Sequence, residues 1–272
     1  MPNSINTNVG AFVALQSLNS INSRLDVTQN RVSTGLKVNN AVDDASSFSI
    51  AQGIRGNLKA FEAVSQGLAN GRGVATVALA GATAISDLLG DIQKKITEGQ
   101  NAGNSTEQQA ILASDFVNLV AQVNTFITNA AYNGRNLLSA ASTSLNVIGN
   151  VDGTTLTIRS NSAFATASIN LGAQALTTTV TATKALSTLF AAQASINTVL
   201  GNIGADTRTL NFQETFISKL SDAVTEGLGA IVDADLAKES SRLQALQVQQ
   251  QLGVQTLNIA NQKPSTLLSL FR

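Results

Sequence analysis

The chain has 272 residues, of which 43% are hydrophobic but only 4% aromatic, with no Trp, no Cys and no His. Lys plus Arg and Asp plus Glu balance at 17 each, and charged residues make up 12%, so nothing electrostatic points to nucleic acid or an anionic membrane as partner. Without His there is no His-Glu-x-x-His zinc site, and a lightly charged, neutral surface suits a subunit that packs against copies of itself.

The start, Met1-Pro2-Asn3-Ser4, carries no basic segment followed by an apolar one, so any route out of the cell is expected not to read a cleaved signal peptide. No membrane-spanning stretch is expected. Absent Cys fits an extracellular life without disulfides as well as a cytosolic one.

The first helix places Ala11, Leu18, Leu25 and Val32 seven apart, interleaved with Ala14 and Ile21. That is a seam for another helix, although an ordinary amphipathic helix reads the same way. Gly35 ends it, and Asn39-Asn40 reads as a turn. A longer helix follows Asp43 and Asp44, two carboxylates better suited to capping the positive helix end than to metal or acid–base chemistry. Its ladder is Ile54, Phe61, Leu68, Ala75, Ala82, Leu89 and Ile96, with Ile50, Val64, Ala78, Ile85 and Ile92 between. Repeated glycines in this ladder, each costing about 1 kcal/mol relative to Ala, imply close helix approach or a helix stabilised mostly by neighbours.

Gly99 to Gly103 predicts a turn. Leu112, Phe116, Leu119, Val123 and Phe126 then mark a helix face that should stop between Asn129 and Gly134. From Leu137 to Thr183, Ser and Thr dominate, and Asp152-Gly153 before Leu156-Thr157-Ile158 predicts one or two hairpins. The hydroxyls there fit a solvated loop better than O-linked sugar. Leu189, Ile196, Ile203, Leu210, Ile217, Val224 and Ile231 then form an unbroken seven-residue ladder, roughly 60 Å long as a helix. Its companion positions are read as Leu186, Leu200 and Leu228 with polar Gln193, Thr207, Glu214 and Ser221. The last helix opens at Asp233 and Asp235. It carries Leu236, Leu243, Leu246, Leu257 and Ala260, and Pro264 is expected to stop it. The chain finishes with an apolar run that includes Leu270 and Phe271 and needs a partner to cover it.

Two long ladders separated by a short middle predict a mainly α fold: a long antiparallel helical rod with coiled-coil termini and a small β-hairpin tip at the far end. The expected parts are a terminal helix over 1–40, bundle helices over 41–136, the tip over 137–183, a returning helix over 184–228 and a terminal helix over 229–272.

Four blocks, in this order, resemble bacterial flagellin: Ser4-Ile5-Asn6-Thr7-Asn8; Arg31-Val32-Ser33-Thr34-Gly35-Leu36-Lys37-Val38-Asn39 followed by Asp43-Asp44-Ala45; Tyr132-Asn133-Gly134-Arg135-Asn136-Leu137-Leu138; and Val232-Asp233-Ala234-Asp235-Leu236-Ala237-Lys238-Glu239 with Ala260-Asn261-Gln262 and the closing Leu270-Phe271-Arg272. The resemblance implies a non-enzymatic filament subunit without cofactor. Such a subunit is secreted unfolded through the flagellar export apparatus, with chaperone, junction and cap proteins as partners, and assembles outside the cell. Its terminal helices pair on assembly to line an inner tube, while the bundle with its hairpin forms an outer one.

The self-assembly surface is then expected at Leu18, Ile21, Leu25, Val32, Leu236, Leu243, Leu246, Leu257, Leu270 and Phe271. Arg31, Asp43, Asp44 and Arg55 are candidates for ion pairs between copies, with solvated helix charges as the plainer reading. Two departures from the family pattern stand out. Ser46-Ser47-Phe48 replaces the usual Ala-Gly, and Leu89-Gly90-Asp91-Ile92-Gln93 lacks the Arg- and Glu-bearing segment read by the toll-like innate receptor, which implies weak receptor activation. The alternatives are a hook–filament junction protein, a flagellin with an enzymatic insert, for which a tip of this size is too small, and a free coiled-coil adaptor.

Overall fold

The computed structural model describes residues 7–172, 174, 176 and 178–269, with side chains except at 163, 166–169, 179 and 263–269. Most of the described residues are helical. In chain order it contains α1 (Val9–Thr34), α2 (Ala45–Gly99), α3 (Thr106–Asn129), β1 (Ala131–Tyr132), β2 (Arg135–Asn136), β3 (Leu145–Ile148), β4 (Thr155–Ile158), α4 (Ser162–Gly172), α5 (Thr179–Val232) and α6 (Leu236–Ser269). Two compact units result: residues 1–56 with 223–272, and residues 57–222.

The second unit is built on the ladders. Phe61, Val64, Leu68, Ala75, Ala78, Ala82, Ile85, Leu89, Ile92 and Ile96 of α2 are all buried, as are Leu189, Ile196, Ile203, Leu210 and Ile217 of α5. Gln193 donates to Gln93 at 3.0 Å and Arg72 pairs with Glu214 at 2.7 Å. Stepping back along α2 from the first pair to the second advances the partner along α5 by an equal number of residues, so the helices run antiparallel in fixed register. The expected companion positions are corrected. Ala185, Ala192 and Val199 are buried, whereas Leu186, Gln193 and Leu200 are half-buried at the edge. Small residues at the centre of a seam let two helices approach, and at the edge Gln193 can meet Gln93.

α3 starts with a capping box, in which Ser105 Oγ accepts from Gln108 N and Gln108 Oε1 accepts from Ser105 N, satisfying two otherwise orphan donors. It buries Phe116, Val120, Val123 and Ile127. Lys95 reaches Asp115 at 3.2 Å and Glu98 at 3.5 Å, and these carboxylates raise the pKa of its ammonium. After α3, Asn133 and Gly134 both take positive φ, 49° and 74°, the two-residue turn that best matches strand twist. It joins β1 to β2 with Tyr132 opposite Arg135. Asn136 then donates to the carbonyls of Ile127 and Thr128 and accepts from Leu138 and Ser139 N–H groups, covering carbonyls that the helix end leaves free.

β3 and β4 pair antiparallel, Leu145 opposite Ile158 and Ile148 opposite Thr155. This hairpin lies against the side of α2 and does not extend past its end: a Cβ added at Gly71 would sit 2.7 Å from Val147 Cγ2. Gln213 donates to Gly149 O at 2.7 Å, and Arg159 grips Asp206 through its side chain and backbone N–H. That carboxylate raises the pKa of the Arg159 guanidinium. The expected far end is therefore folded back along the helices. The stretch also holds α4, where hairpins alone were expected; its Phe164 and Leu171 return seven apart and are buried.

In the first unit, Gly35 closes α1 in the left-handed conformation (φ 72°), its N–H donating to Arg31 O. Leu36 bridges Asp233, Lys37 N donates to Val232 O at 2.6 Å and Ala234 N donates to Gly35 O at 2.9 Å. Beneath this clasp Val38, Ala51 and Val232 form a small core with Leu36, Phe48, Leu228 and Ile231. Phe48, one of the departures from the family pattern, thus packs half-buried against this core.

The absence of a membrane-length apolar stretch is also corrected. α2 and α3 each contain an 18-residue window apolar enough to cross a membrane. The buried residues of each recur three and four apart, the spacing of one helix face.

Candidate functional site

α1 and α6 pack together and run antiparallel: Asn8 meets Ala260, Asn22 meets Gln250 and Arg31 meets Glu239. Leu18, Ile21, Leu25, Val32, Leu243 and Leu257 are half-buried, and Leu246 is buried. Leu18 and Ile21 lie over Gly253, where an added Cβ would come within 3.2 Å of Leu18 Cδ1. The glycine that breaks the seven-residue phase thus receives side chains from α1. Leu236 is exposed. Leu270, Phe271 and the opening block Ser4–Asn6 lie outside the described residues.

Pro264 does not end α6, which runs on to Ser269. A proline supplies no N–H, so the carbonyl four residues earlier, on Ala260, loses its helical donor. Asn8 Nδ2 donates to that carbonyl at 2.7 Å. The same side chain caps α1, its Oδ1 accepting from Ala11 N at 3.1 Å. One amide therefore serves a helix start and a mid-helix orphan.

Of the expected ion-pair residues, Arg31 meets Glu239 of its own chain at 3.4 Å. The pair joins the last turn of α1 to the first turn of α6, ends whose dipoles favour those charges. Asp43 Oδ2 accepts from Asn39 N and Asn40 N. Asp44 accepts from Ser46 N, Ser47 N and Ser47 Oγ; the Ser47 bonds, with nearby Lys37, hold its carboxyl below the usual carboxylate range. Capping, the reading preferred from sequence, is the role the geometry gives it. Arg55 donates to Gln52 at 3.2 Å.

The seven-residue seams do not account for the apolar surface the pair leaves uncovered. On α1, Val9, Phe12 and Val13 are 59%, 74% and 61% exposed; on α6, Val248, Leu252 and Ile259 are 55%, 56% and 59% exposed. The signal was present in the sequence as Val248, Leu252 and Ile259, four and seven apart on one helix face, but off the seven-residue ladder. Burying each such side chain is worth about 1.5–3 kcal/mol. A pair of helices with apolar residues on both sides is built for more than one neighbour.

The fold and this surface define a helical structural protein that self-associates. Its relatives agree. Residues 5–143 match the bacterial flagellin N-terminal helical region and residues 186–271 the bacterial flagellin C-terminal helical region. Flagellin FljK of Caulobacter vibrioides is 39% identical and a flagellin of Brucella melitensis 40% identical, each match covering 99% of both chains. Among solved structures, Bacillus cereus flagellin aligns with a TM-score of 0.48 at 18% identity, over 56% of this chain and 86% of that one. The chain belongs to the bacterial flagellin family and is a structural subunit of the flagellar filament. Nothing favours the junction-protein alternative.

Proposed function

We propose that the α1–α6 pair forms the inner layer of a hollow filament and the unit around α2, α3 and α5 its outer layer. In this reading Leu18, Ile21, Leu25, Val32, Leu236, Leu243, Leu246 and Leu257, with Leu270 and Phe271, act together in assembly. Some seal α1 to α6, and the exposed ones, joined by Phe12 and Leu252, meet neighbouring copies. The chain is exported unfolded, handed on by a chaperone, and added beneath a cap protein beyond the junction proteins. It works outside the cell and carries out no catalysis.

The observation that supports this reading is the apolar surface on the outward sides of α1 and α6. Identical neighbours related by a rotation that does not close would cover it and generate an open filament. Electron microscopy of the purified chain under polymerising conditions tests it: long filaments are expected, and short rings or monomers at all concentrations would refute it. In a companion experiment, removal of residues 1–40 and 229–272 should abolish polymerisation.

A further inference from the structure

Between α1 and α6 lies a cleft of about 160 Å³ lined by Ser23, Arg24, Val27, Thr28, Arg31 and Arg242. Three arginines line it, and among the described residues neither Arg24 nor Arg242 forms an ion pair. Arg31 gives Nη1 to Glu239, but its Nε is buried without a partner, as is Glu239 Oε2. A guanidinium presents two N–H groups along each edge, a fork that matches a carboxylate. Beside the Arg31–Glu239 pair, Arg24 and Arg242 therefore leave two cations in the cleft lining without a carboxylate.

The same unit displays the complementary charge elsewhere. Asp43 lies exposed on the connection between α1 and α2, next to Asp44, and the clasp at Leu36 places Asp233 and Asp235 on the adjoining connection. None of the four forms an ion pair among the described residues. Asp43 turns Oδ2 inward to Asn39 and Asn40, while its Oδ1 takes no bond. Among the described residues no hydrogen bond or ion pair joins Asp43 to a cleft residue of its own chain. A contact between two different patches, cleft of one copy and acidic connection of the next, is heterologous and propagates.

We propose that this cleft is a carboxylate-binding site filled by Asp43 of a second copy of this chain, which locks the register between neighbouring α1–α6 pairs in the filament. The proposal rests on the filament reading above and names a partner within it.

The test uses the full-length protein. Arg242→Gln and Asp43→Asn should each raise the critical concentration for polymerisation about tenfold at low salt. The double variant should be no worse than either single one, and the difference from the unsubstituted chain should shrink as salt screens the pair. Because the chain has no Cys, Ser23→Cys and Val42→Cys proteins can be co-polymerised in an Arg242- and Asp43-intact background and treated with a short bismaleimide. A cross-linked peptide joining position 23 of one copy to position 42 of another is expected. Unchanged critical concentrations, additive losses in the double variant, or filaments that form without that cross-link would overturn the proposal while leaving the filament reading standing. Failure of the unsubstituted chain to polymerise at all would overturn both.

Discussion

Single side chains in this protein carry separable tasks, and Asn8 shows it best. Asn8→Asp keeps the acceptor that caps α1 but replaces the donor to Ala260 O with a repelling oxygen, so filaments should melt earlier, by a loss of about 1 kcal/mol per subunit. In a Pro264→Ala background the Ala260 carbonyl regains its helical donor and the same substitution should cost much less. Calorimetry of the four filaments checks the cycle. Asp44 makes a pH-dependent contribution. Its folded pKa is lowered, so the stabilisation is present above the ordinary carboxylate pKa and is lost as pH falls through the lower folded value. Amide exchange at Ser46 and Ser47 should accelerate in that acid window, and Asp44→Ala should show the fast rate at neutral pH. Both effects concern polar atoms whose partners are distant in sequence or set by local geometry. That is why the caps were legible in part, Asp44 from its position before a helix, whereas the Asn8 contact 252 residues away was not.

At the scale of elements, the seven-residue ladders were readable because period and burial are linked directly by helix geometry: Phe61 to Ile96 and Leu189 to Ile217 are buried as their spacing requires. The companion register was not readable in the same way, since large Leu186 and Leu200 attract attention while the centre is held by Ala185 and Ala192. The Asn133-Gly134 turn was legible because few residues accept positive φ. The hairpin's docking on α2 was not, because it depends on Gly71 having no side chain. Gly71→Ala is expected to destabilise the unit by about 1–3 kcal/mol through overpacking against Val147. Gly90→Ala, which meets nothing within 4 Å, should instead stabilise the helix by up to about 1 kcal/mol. Thermal denaturation of the two variants decides between these signs.

For the whole molecule, family membership was legible from ordered blocks at both ends, and the uncovered apolar surface is where the proposed contacts between copies lie. Purified monomer is expected to give a weak response in an innate-receptor reporter assay, because Gly90, Asp91 and Gln93 stand where many flagellins carry the recognised segment. A strong dose-dependent signal would contradict that. A last consequence concerns the lengths evolution can choose. Because Gln93–Gln193 and Arg72–Glu214 lock two strands of one ruler, a residue gained inside either helix between those marks would shift every rung beyond it by about 100°. Insertions between the marks are thus tolerable only as whole heptads matched on both helices, whereas a residue gained in the link from Gln100 to Asn104 leaves those rungs in register. Grafted peptides or domains should be accepted at that link and rejected within the ruled section.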